Sequence, residues 1–312
     1  MQYVELAKQH ITKNNFVAFK DIFCGTFSST VGALAVAIRN IISLSYIGHN
    51  NNGQNDAEMS AASFGITWIN AFGYSLLFGF SIGLSTMVSQ AFGAKKYKAM
   101  GLFLHRTLII MGALVLLMGI FFWNTESILL YYGFEKELAY NVGLHSKGSI
   151  LSCAGYGLAQ ALRYYISALK IFHITAVINV VGIFIHMFFC HLMIDVFDWG
   201  VLGMAIARAL TELASAGLYY LYLKRYNPCP EAMIPWKDDS YRGIFTHAKD
   251  LIYHGSAIYL EWMALQISSM LVGFLKIDDV NFAHGSVITY LVYIQSFTLG
   301  VSVSTTTYVG NS

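Results

Sequence analysis

The stretch from Trp68 to Lys98 reads WINAFGYSLLFGFSIGLSTMVSQAFGAKKYK, and it decides the fold. It is a long apolar run that ends abruptly in the cations Lys95, Lys96 and Lys98. A helix of about 20 apolar residues crosses the hydrocarbon core of a bilayer, and a spanning segment is helical because its backbone groups must bond one another in lipid. The stretch therefore predicts a membrane-spanning helix that ends at a water-facing surface.

Small residues recur in this stretch at a spacing of about one helical turn. Gly79 and Gly83 are four apart, and so are Ser81, Ser85 and Ser89. Small side chains on one face allow a second helix to approach closely. The pattern predicts a tight helix–helix contact along this face.

The composition excludes a water-soluble globular protein. Apolar residues make up 56% of the 312 residues and charged residues only 12%, whereas a soluble domain carries about 25% charged residues. The four cysteines have neither metal-site spacing nor the pattern of a disulfide framework. We expect no metal, no cofactor and no nucleic-acid partner, and membrane lipid as the surroundings of the chain.

The apolar runs predict an all-α integral membrane protein with eight spans. Lys147 and Glu261 interrupt the fourth and seventh spans. The longest loop, 226–249, contains all three prolines of the chain and predicts a linker between two units, 1–225 and 250–312. The predicted spans are 22–47, 61–88, 102–123, 142–168, 171–194, 200–223, 250–275 and 282–309.

The cations in the loops and near the ends of the spans lie almost entirely on one side of the membrane. Only Lys136 and Lys276 fall in the opposite loops. Cytoplasmic loops carry the excess of Lys and Arg, so this asymmetry predicts cytoplasmic termini. The cations on the predicted cytoplasmic side are Lys8, Lys13, Lys20, Lys95, Lys96, Lys98, Arg106, Arg163, Lys170, Lys224, Arg225, Lys237, Arg242 and Lys249.

A weak internal repeat relates the second span to the eighth. Shifting the chain by 221 positions brings Gly79 onto Gly300 and Thr86 onto Thr307, and it brings Asn40 onto Glu261. The repeat predicts that spans seven and eight are related to spans one and two.

Five short motifs carry a resemblance to a known family. They are YIGH (Tyr46–His49), SQAFGAKKY (Ser89–Tyr97), QALRYY (Gln160–Tyr165), LEWMALQI (Leu260–Ile267) and STTTYVGNS (Ser304–Ser312). In this order they resemble motifs of the multidrug and toxic compound extrusion (MATE) family, eukaryotic type, over essentially the whole chain.

The resemblance implies a helix bundle of two lobes, in a parallel inverted-V repeat architecture. The chain would contain a six-helix N-lobe (1–225), a cytoplasmic linker (226–249) and the first two helices of the C-lobe (250–312), without helices nine to twelve. It implies a secondary antiporter and not an enzyme. Such an antiporter exports organic cations or xenobiotics across the plasma or vacuolar membrane in exchange for protons or sodium. The alternative is a non-transporting truncated remnant or fragment of such a transporter.

Glu261 is the strongest candidate for the exchange site. A carboxylate in the middle of an apolar span is costly and is read as functional by default. A substrate cation and a proton can compete for one carboxylate, and the resemblance gives this role to the Glu of the LEWM motif. The family's second carboxylate in this span is replaced by Gln266, which lies about 140° around the helix from Glu261.

Further polar residues within the spans are candidates for a binding cavity or an ion pair. The resemblance places Asn40 and Asn70 at polar cavity positions. Arg39, next to Asn40, is a possible ion-pair partner of Glu261, because the repeat would place both near the cleft between the lobes. Arg208 is expected to pair or to extend to the surface, and Asn179 is expected to pack between helices.

The histidines do not form a metal-enzyme pattern. His186 and His191 are five residues apart on one predicted helix and point in different directions, whereas helical ligand pairs need a spacing of three or four. The resemblance also implies helix-kinking prolines near Leu151, His173, Phe188 and Thr298, where this chain has none, so we expect its helices to bend differently.

Overall fold

The computed structural model describes residues 2–50, 56–274 and 278–311. Side chains are described for 19–49 except 21, for 58–272, for 287, and for 291–311 except 293. The side chains of the predicted cytoplasmic residues Lys8 and Lys13 lie outside the described residues, as does Lys276. Every regular element in the described part of the chain is helical.

Eleven α-helices and three short segments of other helix types make up the described chain. The α-helices are α1 (Gln2–Asn50), α2 (Asp56–Ile69), α3 (Ser75–Gly93), α4 (Tyr97–Trp123), α5 (Thr125–Tyr131), α6 (Lys136–Ala168), α7 (Phe172–Cys190), α8 (Gly200–Tyr226), α9 (Asp238–Tyr241), α10 (Ile244–Phe274) and α11 (Asp278–Gly310). The other segments are two π-helices, Asn70–Tyr74 and His191–Val196, and a 3₁₀ turn, Pro230–Ala232.

The long helices coincide with the eight predicted spans, and the prediction of an all-α membrane protein is confirmed. Within the described residues, five segments are both long and apolar enough to cross a membrane. The helices α6, α10 and α11 have 33, 31 and 33 residues and are also long enough to cross. The five apolar segments are Ile22–His49, Glu58–Gly93, Tyr97–Trp123, Phe172–Val196 and Gly200–Tyr226.

Helix α6 is the centre of the bundle. It packs against α8 on one side and against α2, α3 and α4 on the other, while α1 packs against α7 and α11. Aromatic rings fill the contact between α2 and α4, with Trp68 stacked on Phe121 at 5.5 Å between ring centroids. The Trp68 indole N–H also donates to Thr125 at 3.2 Å, which fixes the short helix α5.

The two π-helices are single-turn irregularities within long helices. One joins α2 to α3, so that the predicted second span is a continuous helical rod with a π turn at Asn70–Tyr74. The other extends α7 over His191–Val196, just after Phe188. Such turns are one of the physical causes of helix kinks. The chain therefore contains irregular turns although the prolines implied by the resemblance are absent.

The glycines of the opening stretch make the close helix contact that their spacing predicts. A side chain placed at Gly79 would be 3.0 Å from the Gly255 carbonyl oxygen, and one at Gly83 would be 2.9 Å from the Leu251 carbonyl oxygen. A side chain at Gly255 would in turn collide with the backbone of Gly79. Helices α3 and α10 therefore touch backbone to backbone, and this contact positions α10.

The segment between α8 and α10 is folded onto α4 rather than extended. His105 and Ser240 are hydrogen-bonded at 3.0 Å, and Thr107 bonds the His247 Nε2 atom at 2.8 Å. Trp236 stacks on His105 with 4.0 Å between ring centroids. Burial, reinforced by the charge of Arg106, lowers the pKa of His247 to about 4. The segment is thus attached at the predicted cytoplasmic end of the bundle, and the division into lobes at 226–249 stays a prediction.

Candidate functional site

A buried ion-pair cluster lies in the middle of the first six long helices. The carboxylate of Glu212, on α8, accepts a hydrogen bond from the Arg208 Nε atom at 2.9 Å and contacts the Arg39 Nη1 atom at 3.4 Å. The Arg39 and Glu212 side chains are each only 2% exposed. Arg39 comes from α1, so the cluster ties the first helix to α8.

Neutral polar groups extend this cluster in both directions. The Arg208 Nη1 atom donates to the Asn40 side-chain oxygen at 2.9 Å. On the other side, the Arg39 Nη2 atom donates to the Asn179 oxygen at 3.4 Å, and the Asn179 amide nitrogen donates to the Tyr219 hydroxyl at 3.1 Å. A polar network therefore runs through the bundle from Asn40 to Tyr219, and Asn179 does more than pack.

Arg39 forms an ion pair, but not with the expected partner. Its carboxylate partner is Glu212, and the expected pairing with Glu261 is wrong. The repeat relates Glu261 to Asn40, yet residues related by such a repeat occupy matching places in different helix groups and need not touch. Arg208 pairs as expected, also with Glu212.

Asn40 and Asn70 line one small pocket beside this cluster. Asn70 is the first residue of the π turn that joins α2 to α3, and π turns often occur at functional sites. The pocket has room for about one water molecule or small ion. Its lining residues are Asn40, Ser43, Ile66, Ile69, Asn70, Tyr74, His145, Ser149, Met204 and Arg208.

His186 is fully buried next to the same cluster. Its Nε2 atom bonds the Ser43 hydroxyl at 2.8 Å and its Nδ1 atom bonds the Thr211 hydroxyl at 3.0 Å. His191 is exposed and pairs with Asp195 at 2.8 Å. Both ring nitrogens of His186 are thus engaged in bonds between α1, α7 and α8, and the described residues contain no group of three or more metal-ligating side chains.

Glu261 has a different environment from Glu212. It is exposed, and its Oε1 atom accepts a hydrogen bond of 2.7 Å from the Gln295 side chain on α11. It lies about 120° around α10 from Gly255, so it does not face α3. Gln266 is 8% exposed and therefore occupies a buried face of the helix, away from Glu261. The structure thus brings the predicted site residues Asn40 and Asn70 together at one pocket. It places Glu261 and Gln266 on different faces of α10.

Glu212 is the site residue that the sequence analysis missed. Its signal was present, because Arg208 and Glu212 are four residues apart in an apolar span, which is the spacing of a helical ion pair. A carboxylate twelve residues into a span also satisfies the criterion that selected Glu261.

Comparison with known proteins assigns the chain to a family. A family model described as MatE matches residues 29–192, which is more than half of the chain. Protein DETOXIFICATION 49 of Arabidopsis thaliana is 26% identical over 276 residues, which cover 88% of this chain and 54% of that relative. Protein DETOXIFICATION 12 of the same organism is 23% identical over 288 residues, which cover 91% of this chain and 59% of that relative.

The fold is also that of a solved transporter. The crystal structure of the eukaryotic MATE transporter AtDTX14 superposes with a TM-score of 0.85 at 19% identity, over 95% of this chain and 66% of that one. The chain spans about half the length of the curated relatives it matches. The predicted resemblance is confirmed, and the chain is a multi-pass integral membrane protein that belongs to the MATE family.

Proposed function

We propose that this chain is a secondary efflux antiporter that exports organic cations or xenobiotics, with Glu261 as the exchange carboxylate. Membership of the MATE family supports transport as the activity. The observation that carries the proposal is the environment of Glu261, which is an exposed carboxylate on a membrane-length helix with a neutral amide as its hydrogen-bond partner.

A neutral partner leaves the charge of Glu261 available for exchange. Gln295 donates one hydrogen bond without compensating the negative charge, so a proton, a sodium ion or an organic cation can compete for the carboxylate. Glu212 is unsuited to this role because two guanidinium groups already neutralise it. Proton or sodium is the counter-ion in this proposal. When the substrate cation binds to Glu261, it displaces the proton or sodium ion from the carboxylate.

The remaining candidates have supporting roles in the proposal. Gln266 is a neutral, buried residue of α10 and helps to hold the helix that carries Glu261. Asn40 and Asn70 line the small pocket as neutral polar groups, and Arg208 is the charged residue of its lining. The asymmetry of cations supports cytoplasmic termini, and the plasma or vacuolar membrane as the location is part of the same proposal.

The test is efflux of a fluorescent organic cation from cells that express this 312-residue chain. We expect the wild-type chain and Glu231→Gln, which removes an exposed carboxylate of the α8–α10 segment, to lower the cellular cation to the same level. Glu261→Gln should abolish efflux, and Glu261→Asp should retain part of it because the charge is kept. Efflux that survives Glu261→Gln at equal membrane abundance, or a wild-type chain that inserts and moves no cation, would overturn the proposal for this chain.

A further inference from the structure

The buried charges of the described chain do not balance. The Asp, Glu, Lys and Arg side chains that are buried are Arg39, Arg163, Arg208 and Glu212, which are three cations and one anion. Arg163 donates to the neutral Gln160 at 3.3 Å and has no acidic partner within the described residues. Charges inside a membrane bundle are paired or face water. The interior of the first six long helices therefore carries an excess of two positive charges.

The small pocket described above adjoins the Arg208 end of this cluster. Arg208 is the charged residue of its lining, and the lining contains no carboxylate. The remaining lining groups include hydroxyls, amides and His145. We call this space the arginine pocket. Its electrostatic character is positive, because the one carboxylate that Arg208 contacts, Glu212, is shared with Arg39 and cannot balance both guanidinium groups.

One buried polar atom at the arginine pocket has no hydrogen-bond partner among the described residues. The Asn40 side-chain oxygen is taken by Arg208, which leaves its amide N–H groups as the remaining polar part of that side chain. His145 is 5% exposed, and its Nδ1 atom has no partner among the described residues. The Nε atom of Arg39, which is buried deeper in the cluster, also has none. A buried polar atom without a partner is costly, so the His145 nitrogen at the pocket and the Arg39 nitrogen beside it leave room for a further bonding partner.

We propose that the arginine pocket binds a small inorganic anion of halide size. Arg208 supplies the charge, and Asn40, Asn70 and His145 supply hydrogen bonds. The anion offsets part of the excess charge of Arg39, Arg163 and Arg208. The pocket admits about one such ion. This inference does not rest on the proposed transport or on Glu261.

Halide binding to the folded chain predicts stabilisation by mass action. In detergent solution at constant pH and ionic strength, exchanging gluconate for chloride or bromide should raise the melting temperature by about 2–5 °C. Acetate serves as a carboxylate probe. Stabilisation by acetate without stabilisation by chloride would overturn the halide assignment, as would a melting temperature that is the same in chloride and in gluconate.

A matched pair of variants locates the effect. Asn70→Asp places a carboxylate of nearly the same size at the pocket, so we expect it to remove the chloride dependence while the chain stays folded in gluconate. Asn124→Asp makes the same chemical change at an exposed position and should retain the full chloride shift. A chloride shift that persists in Asn70→Asp would overturn the placement.

Crystals grown in bromide provide a readout that needs no variant. The anomalous signal of bromide should appear in contact with the Arg208 guanidinium. A data set in which that pocket holds only water, with no anomalous peak at saturating bromide, would overturn the proposal even if a halide stabilises the chain from elsewhere.

Discussion

Glu212 and Glu261 are carboxylates that lie well inside predicted membrane spans, and they differ in what surrounds them. Glu212 on α8 is buried and contacts two guanidinium groups, those of Arg39 and Arg208. Glu261 on α10 is exposed and accepts a hydrogen bond from the neutral Gln295. Both residues are costly in an apolar span, yet the cost is met by ion pairing in one case and by exposure in the other.

The difference separates a structural charge from an available one. Removing the charge of Glu212 would strand two buried cations, so this carboxylate holds α1 and α8 together. Removing the charge of Glu261 would strand no cation among the described residues, so this carboxylate can exchange partners at small cost to the fold. Mid-membrane position alone therefore does not identify an exchange site, and the charge of the neighbours has to be known.

The largest effect on stability is expected from Glu212→Gln. Losing one partner of a buried ion pair costs about 3–5 kcal/mol, because the remaining charge is left uncompensated. We expect a marked fall in the melting temperature of the purified chain in detergent. The double variant Arg39→Gln with Glu212→Gln should recover part of the loss, since it removes a stranded cation. A single variant as stable as the wild type would contradict a structural role for Glu212.

The position of the Glu261 helix depends on the glycine contact between α3 and α10. Gly255→Val would place a side chain against the backbone of Gly79 and should destabilise the fold by roughly 1–3 kcal/mol, the usual range for overpacking. Gly112→Val is the control, because a side chain at Gly112 would meet nothing within 4 Å. Equal melting temperatures for the two variants would mean that α10 does not rest on α3 as described.

His247 is expected to make the stability of the fold depend on pH, independently of any exchange at Glu261. Burial holds the pKa of His247 at about 4, whereas an exposed histidine titrates near about 6.5. As the pH falls, the unfolded chain therefore takes up a proton on His247 at a higher pH than the folded chain. The stability that this residue contributes is complete above pH ~6.5 and is lost as the pH falls towards ~4. His247→Gln should flatten the melting temperature between these values. An unchanged pH dependence would place the titrating group elsewhere.

The smallest effect on stability is expected from Glu261→Gln. The amide can keep a hydrogen bond to Gln295, and no cation loses its partner, so the change should stay within about 0.5 kcal/mol, as at ordinary surface positions. Thermal unfolding beside Glu212→Gln measures the contrast directly. A loss as large as that of Glu212→Gln would show that Glu261 has a buried cationic partner after all.

Much of the fold was predictable because lipid restricts the chain to a few solutions. The apolar runs gave the existence and order of the long helices, and the spacing of Gly79 and Gly83 predicted a close contact. The short helix α5, the π turns and the folding of 226–249 onto α4 were not predictable in this way. They depend on particular side-chain contacts, such as those of Trp68 with Thr125 and of Thr107 with His247.

Individual polar residues of the site could be identified from the sequence, but the contacts between them could not. Arg39 was recognised as an ion-pairing residue, and its partner was wrong because the repeat gives equivalent positions and not contacts. Which face of each helix meets which neighbour depends on packing across residues distant in sequence, and Arg39 and Glu212 are 173 residues apart. The spacing of Arg208 and Glu212 was the local signal that could have corrected the assignment.

The most direct test of the contrast between the two carboxylates is proton release on cation binding. A lipophilic organic cation, tetraphenylphosphonium, is added to the purified chain in weakly buffered detergent solution, and the released protons are counted with a pH indicator. If Glu261 exchanges a proton for a cation, wild type and the Arg39→Gln, Glu212→Gln double variant should both release up to about one proton per bound cation. Glu261→Gln should release none. Release that persists in Glu261→Gln, or that disappears in the double variant while the chain remains folded, would contradict the account.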